Sequence, residues 1–317
     1  MLACVAASLA ACTAASRRLS FTGTAMGVVV RITVDEDDED AARRAARAAQ
    51  EELDRLDALL SDWKDSSELS GFNRSGERRA PASAEMREVL ARALAVAEAS
   101  EGRFDPTVAP LVAMWRTTRR AGGLPPRAAL DAERARVGFA MVAVEGSEIV
   151  RARPDVALDF GGIGKGYGAV RALAAMRAEG CPRALVAVAG DIAAGEAPRG
   201  ERGWTVAIEG ERAAGETLIV ENQAVSTSGG SIQWVEIDGV RYAHIVDPRT
   251  GLGAIDLAQV TVVGPLDCSV DALGTALALC RSNDEARAVL AAFPGHRARI
   301  ERDGRAWWIA GAGVNRR

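Results

Sequence analysis

An excess of basic residues is missing from this sequence. Its 317 residues include 43 Asp and Glu against 39 Lys and Arg, which leaves a net charge of −4. Proteins that bind nucleic acid or anionic lipid by charge usually carry a basic excess, so neither is an expected partner. The sequence is also not poor in hydrophobic residues, which make up 48% of the chain. This content excludes an intrinsically disordered chain.

Lysine and histidine are scarce. The only lysines are Lys64 and Lys165, so almost every basic residue is an arginine. Because the composition favours arginine so strongly over lysine, each lysine is a candidate functional residue. The only histidines are His244 and His296. They form a short list of side chains suited to proton transfer near neutral pH.

Cysteine is also limited, to five residues without CxxC spacing. Neither a zinc site nor a disulfide framework is therefore indicated. We expect Cys181, Cys268 and Cys280 to be buried free thiols.

Long hydrophobic runs are absent. The uncharged run Met1–Ser16 is shorter than the roughly 20 apolar residues of a membrane-spanning helix. It resembles the end of a secretory signal, and Leu9–Cys12 resembles a bacterial lipobox, whose cysteine becomes lipidated. We expect a leader over residues 1–18, a single domain over residues 19–317, and membrane attachment only through a lipid anchor on Cys12. No Lys or Arg precedes the run, and an alanine-rich terminus without function is the alternative.

Strand and helix signals are interspersed along the chain. Asp238-Gly239 and Asp303-Gly304 lie between β-rich flanks and predict tight hairpin turns. Helical spacing of apolar residues predicts helices at Glu39–Trp63, Ala84–Ser100, Tyr167–Glu179, Cys268–Cys280 and Asp284–Phe293. Because hairpins are frequent and steady βαβ alternation is absent, we predict an α+β fold with mixed or antiparallel sheets and packed helices.

A glycine cluster follows a predicted strand at residues 158–168 (LDFGGIGKGYG). Glycines let a backbone approach a ligand closely, and the N-terminus of a following helix offers free N–H groups to phosphate oxygens. Lys165 adds a positive charge at the same place. The spacing matches neither a Walker motif nor a dinucleotide-binding fingerprint, and a purely structural turn is the alternative.

His244 lies in a second unusual stretch, residues 242–251 (YAHIVDPRTG), which also holds Asp247 and Arg249. Histidine is well suited to general acid–base chemistry. The density of chemically capable side chains favours a functional site over a hairpin end with ordinary turn chemistry.

Asp271 and Thr275 are four residues apart on a predicted helix, so both side chains project from one face. A carboxylate and a hydroxyl could ligate Mg²⁺, which prefers oxygen ligands. The alternative is an aspartate at the helix N-terminus, favoured by the helix dipole, and a threonine bonded to the preceding turn. The residues alone favour this alternative.

In their residues and in their order along the chain, these stretches resemble the ApbE-type FAD:protein FMN transferases, many of which are periplasmic lipoproteins. The resemblance extends over about residues 19–310. The matching segments are 21–27 (FTGTAMG), 60–63 (LSDW), 67–73 (SELSGFN), 102–111 (GRFDPTVAPL), 158–167 (LDFGGIGKGY), 226–229 (STSG), 244–251 (HIVDPRTG) and 271–276 (DALGTA).

The resemblance implies an ApbE-like, T-fold-related architecture with the flavin site in a central cleft. It also implies which residues border FAD, namely Met26, Trp63, Arg103, Phe104, Asp105, Asp159, Lys165 and Val246. A Mg²⁺ ion would be held by the backbone oxygen of Gly162 and the side chains of Asp271 and Thr275.

The implied reaction is transfer of FMN from FAD to a Thr or Ser hydroxyl of a flavoprotein subunit, with release of AMP. His244 is the candidate catalytic base for that hydroxyl, and Asp271 is its rival. The acceptors would resemble exported flavin-carrying subunits of sodium-pumping NADH:quinone reductases and Rnf-type complexes. With the lipobox-like segment, this predicts a periplasmic protein anchored by lipid to the inner membrane.

Two other functions are compatible with the same residues. An FAD pyrophosphatase would use water as nucleophile and release FMN and AMP. A flavin-binding lipoprotein without catalysis is disfavoured by the presence of Asp271 and Thr275. Ala189 stands where the family usually has a second glycine, and Gly229-Gly230-Ser231 replaces a bulkier polar run. These departures concern the shape of the flavin or target-peptide groove.

Overall fold

The computed structural model describes residues 18–210, 213–229 and 234–313. The predicted leader lies outside the described residues except for Arg18, which begins the first strand. The strands are β1 (Arg18–Ala25), β2 (Val28–Asp35), β3 (Arg79–Pro81), β4 (Val142–Glu145), β5 (Glu148–Arg151), β6 (Ala184–Val188), β7 (Asp191–Ala194), β8 (Trp204–Ala207), β9 (Thr217–Val220), β10 (Gln223–Ser228), β11 (Trp234–Ile237), β12 (Val240–Ala243), β13 (Gln259–Pro265), β14 (Arg297–Arg302) and β15 (Arg305–Ala310). The helices are α1 (Glu39–Leu60), α2 (Glu68–Ser75), α3 (Ala84–Ala99), α4 (Ala109–Ala121), α5 (Arg127–Arg134), α6 (Gly164–Ala178), α7 (Ser269–Ala278) and α8 (Asn283–Ala291).

An eight-stranded sheet organises these elements, in the order β1-β2-β6-β7-β10-β13-β14-β15. Every neighbouring pair in it is antiparallel. Smaller sheets are formed by β3-β5-β4, β8-β9 and β11-β12. Antiparallel sheets with packed helices are the α+β architecture that the sequence predicts.

Both faces of the large sheet are covered. On β13, Val262 packs into the core beneath α3, α7 and α8, whereas its neighbour Val263 packs into the core beneath β8 and β9. Alternate residues of a strand point to opposite faces. Towards the other edge of the sheet, β2 and β6 pack against α1 and α6.

Most predicted elements are present, with shifts that matter for function. Helix α1 ends at Leu60, three residues before the predicted Trp63, because Ser61 is extended (φ −73°, ψ 132°). Trp63 is therefore released into a loop. Helix α4 was not predicted from the sequence; its buried position Thr118 is polar, which interrupts the apolar spacing. Both Asp-Gly hairpin turns are confirmed, with positive φ at Asp238 and Asp303.

The cysteine prediction is confirmed, since Cys181, Cys268 and Cys280 are buried free thiols. Within the described ranges, no helix combines the length and the apolar character needed to cross a membrane.

Ala189 occupies the two-residue turn between β6 and β7 with a φ of +54°. A left-handed conformation costs a non-glycine residue about 1–2 kcal/mol, which explains why glycine suits this position. We predict that Ala189→Gly stabilises the protein by up to about 1 kcal/mol, because relief of strain outweighs the added entropy of the unfolded chain. Urea unfolding measures the change. Ala187→Gly, within the extended β6, is the control and should lose about 0.5–1 kcal/mol. Equal losses in both variants would contradict the prediction.

Candidate functional site

A cleft of about 940 Å³ lies where α4, α6, α7, the β6–β7 turn and the β11–β12 hairpin meet. All but one of the predicted site residues line it. They are Trp63, Arg103, Phe104, Asp105, Asp159, Gly162, Lys165, His244, Val246, Asp271 and Thr275. Residues from distant parts of the sequence thus share one concave surface.

Met26 is the exception. It lies in the β1–β2 turn and packs against the hydrophobic cores rather than lining the cleft. A Cβ atom on Gly168 would stand 2.9 Å from Met26 Cε and 3.0 Å from Leu53 Cδ2. Met26 thus supports α6 from behind, and its side chain is not brought together with the other predicted residues.

The glycine cluster forms a tight turn that opens α6. The backbone N–H groups of Ile163 and Gly164 both donate to the carbonyl oxygen of Phe160. A Cβ atom on Gly162 would lie 3.2 Å from Phe104 Cε2 and 3.3 Å from Thr275 Oγ1. A side chain at this position would crowd both groups, and its absence leaves the Gly162 backbone beside the Thr275 hydroxyl.

Asp271 and Thr275 lie on the face of α7 that meets the start of α6. The Gly166 N–H donates to Asp271 Oδ2 at 3.0 Å. Asp271 lies in the first turn of α7, where the helix dipole favours a carboxylate. It is nevertheless only 2% exposed, because α7 packs between α3, α6 and the sheet. Among the described residues, none accepts a hydrogen bond from the Thr275 hydroxyl, so the expected bond to the preceding turn is not made.

Lys165 lies between two carboxylates at the floor of the cleft. Its Nζ is 2.7 Å from Asp191 Oδ2 and 3.5 Å from Asp271 Oδ2. Burial favours the neutral amine, but the two carboxylates outweigh it and raise the pKa of Lys165. Burial and the charge of Asp191 raise the pKa of Asp271 above its usual range, against the attraction of Lys165.

This donor set fits a hard divalent cation. A carboxylate, a hydroxyl and a backbone carbonyl offer oxygen ligands, as Mg²⁺ prefers. Two buried carboxylates share one ammonium group here, so a further positive charge would lower the cost of ionising Asp271. The part of the chain that the structure describes holds no cluster of three or more His, Cys, Asp or Glu residues suited to a metal.

The loop before α4 contributes Arg103, Phe104 and Asp105. The carboxylate of Asp105 accepts hydrogen bonds from the Thr107 N–H and hydroxyl and from the Phe139 N–H, so its oxygens organise the loop. Burial raises the pKa of Asp105. Arg103 pairs with Glu285 at 3.1 Å, while its buried Nε has no hydrogen-bond partner within the described residues.

Trp63 presents an aromatic face at the rim of the cleft, with 69% of its surface exposed. The Arg116 guanidinium lies 4.0 Å from its ring centroid and pairs with Asp62 at 2.7 Å. This is a cation–π contact that orients the ring. Nearby, burial and Asp62 raise the pKa of Asp159, whose Oδ1 accepts a hydrogen bond from the Gly161 N–H.

The stretch around His244 also lines the cleft, through His244, Ile245, Val246 and Pro248. His244 follows β12 and is exposed, while Val246 is buried and bridges to Gly253. Asp247 and Arg249 form a two-fold ion pair, with contacts of 2.9 Å and 2.8 Å. Their charges therefore hold the loop in shape, and His244 is the group of this stretch that faces the cleft with a proton-accepting side chain.

Sequence reasoning missed several lining residues. Arg116, Arg119 and Arg120 line the cleft from α4; their spacing of three and four residues would have placed them on one face once that helix was recognised. Asp191 also lines the cleft. In the sequence, Asp191 follows Ala189 and Gly190, at a position that the family resemblance includes. Its carboxylate could have been recognised there as a candidate site residue.

The chain is similar to known proteins of one family. A model of the ApbE family matches residues 26–300. The FAD:protein FMN transferase of Klebsiella pneumoniae is 31% identical over 83% of this chain and 79% of its own length. That of Chlamydia pneumoniae is 33% identical over 74% and 75%, respectively.

Solved structures are similar over most of the chain. The apo flavinyl transferase ApbE of Pseudomonas stutzeri is 27% identical, with a TM-score of 0.79 over 93% of this chain and 94% of that protein. The ApbE protein of Thermotoga maritima is also 27% identical, with a TM-score of 0.81 over 93% and 97%.

Proposed function

Because the chain belongs to the ApbE family, we propose that it is an FAD:protein FMN transferase, which moves the FMN half of FAD onto a partner protein. The observation that carries the proposal is the convergence of residues from the glycine turn, α7 and the His244 loop on one cleft. The solved ApbE structures share the predicted α+β architecture.

FAD fits the chemistry of the cleft walls. The exposed ring of Trp63 can stack on a planar aromatic ring. The ammonium group of Lys165, which lines the cleft at the start of α6, can face the pyrophosphate oxygens. Helix α4 adds Val112 and Trp115 as an apolar wall.

Asp271, Thr275 and the backbone oxygen of Gly162 would hold Mg²⁺. Their support is the close approach of the Gly162 backbone to the Thr275 hydroxyl and the shortage of positive charge around Asp271. When bound, the ion would supply Lewis-acid neutralisation of charge on pyrophosphate oxygens. Lys165, fixed at the start of α6, offers a protonated ammonium group for the same charge.

In the proposed reaction, a Thr or Ser oxygen of the acceptor attacks the FMN-side phosphorus of FAD. The new O–P bond forms as the bond from that phosphorus to the bridging oxygen breaks, and AMP leaves with the electron pair. His244 takes the proton of the attacking hydroxyl. Its exposed position at the rim suits a base that must meet an incoming protein.

The metal assignment predicts that Asp271→Ala loses FMN transfer by at least about 100-fold, because the charge that assists departure of AMP is no longer positioned. The assay incubates the protein with FAD, Mg²⁺ and a recombinant acceptor subunit of a sodium-pumping NADH:quinone reductase, and follows covalent flavin fluorescence on the acceptor. Asp284→Ala, at an exposed position of α8, is the control and should keep full activity. Full activity of Asp271→Ala in chelator-treated, Mg²⁺-restored samples would show that the metal assignment is wrong.

The base assignment predicts that His244→Ala lowers both FMN transfer and any FAD hydrolysis by about 10²–10⁴-fold, with FAD affinity changed little. Hydrolysis needs the same proton acceptor, since water replaces the acceptor hydroxyl. Single-turnover rates and FAD titrations separate the two quantities. A collapse of FAD binding with normal turnover per bound FAD would instead make His244 a binding residue, with Asp271 left as the base.

We further propose export to the periplasm and lipid anchoring to the inner membrane through Cys12, which lies outside the described residues. The support is the lipobox-like segment Leu9–Cys12. Expressed with its native upstream sequence, the protein should fractionate with membranes, and Cys12→Ser should release it as a soluble form. Unmodified protein found in the cytosol would contradict both parts of the proposal.

A further inference from the structure

Asp191 lies at the floor of the cleft without a role in the proposed reaction. It is 3% exposed and begins β7, directly after the Ala189-Gly190 turn. Its Oδ2 accepts a hydrogen bond from Lys165 Nζ at 2.7 Å, and its Oδ1 accepts one from Ser226 Oγ at 2.6 Å. Ser226 is its register partner on β10. The carboxylate is therefore fixed by its own strand and by its neighbour.

The ammonium group of Lys165 lies within ion-pair distance of two carboxylates. It lies 0.8 Å closer to Asp191 Oδ2, at 2.7 Å, than to Asp271 Oδ2, at 3.5 Å. A lysine side chain is long and flexible, so its charged end stays in one place only when a partner holds it. Without Asp191, Asp271 is the carboxylate already within reach, and the ammonium group would move onto it.

We infer that Asp191 is a positioning residue that keeps the Lys165 ammonium group at the longer distance of 3.5 Å from Asp271 Oδ2, so that the Asp271 carboxylate stays open to a divalent cation. This rests on the proposed metal site and deepens it. The lysine can then serve the pyrophosphate without competing with the cation for the same oxygen. Ser226 contributes by donating to the other oxygen of Asp191 and fixing its orientation.

Cation affinities distinguish a positioning role of Asp191 from an effect of its charge alone. If Asp191 and Lys165 affect a cation only through their charges, Lys165→Met strengthens cation binding equally with or without Asp191. If Asp191 restrains the lysine, Lys165→Met has little effect in the wild type and a large effect once Asp191 is neutralised. The two explanations thus differ in the coupling between the two substitutions.

The test is a double-mutant cycle read out by Mn²⁺ binding, followed by electron paramagnetic resonance without FAD or acceptor. We expect Asp191→Asn to weaken Mn²⁺ binding about tenfold, the order seen for coupled charged groups. Lys165→Met should recover most of this loss in the Asp191→Asn background and change binding less than about threefold in the wild type. Equal effects of Lys165→Met in both backgrounds, or unchanged affinity in Asp191→Asn, would overturn the inference.

Two further variants guard against a merely structural effect. Ser226→Ala keeps all charges, and it should weaken Mn²⁺ binding about two- to threefold, with Lys165→Met again restoring it. Its result decides the matter if Asp191→Asn does not fold. Asp35→Asn breaks the ion pair between another buried carboxylate and the exposed Arg199, and should leave Mn²⁺ affinity unchanged. A wild-type protein that binds no Mn²⁺ would overturn the inference, whereas the acceptor-labelling assay tests flavin transfer separately.

Discussion

Two buried carboxylates, Asp191 and Asp271, share one ammonium group at the floor of the cleft, and the site depends on this imbalance of charge. Burying a carboxylate is costly unless it is paired and hydrogen-bonded. Here the cost is reduced by Lys165, the Gly166 N–H and the Ser226 hydroxyl. The remaining negative charge is what makes the floor of the cleft suited to a cation and, through it, to a pyrophosphate.

Close backbone approach makes that arrangement possible. A Cβ atom on Gly166 would stand 2.8 Å from Asp271 Cβ, and one on Gly162 would stand 3.3 Å from Thr275 Oγ1. The glycines therefore let α7 reach the start of α6. A structural turn and the proposed cation site are compatible in this segment, because the close packing at the glycines also brings together the oxygens that we propose as Mg²⁺ ligands.

Several side chains that could take part in catalysis instead stabilise the loops in which they lie. The carboxylate of Asp105 holds its own loop, and the Asp247–Arg249 pair holds the loop after His244. Saturated in this way, these groups position their neighbours Phe104 and His244 at the cleft. A residue type suited to catalysis thus says little about its role until its hydrogen-bond partners are known.

The fold class, the hairpin turns at Asp238 and Asp303, most of the helices and the segments that form the cleft could be predicted from the amino-acid sequence. These follow from local periodicity, turn chemistry and family resemblance, which act over short stretches of chain. The burial of Asp271, the packing of Met26 against the hydrophobic cores and the pairing of Lys165 with Asp191 could be seen only in the folded protein. Those features depend on contacts between residues far apart in sequence, such as Ser226 with Asp191, whose energies arise only when the sheet and helices have packed.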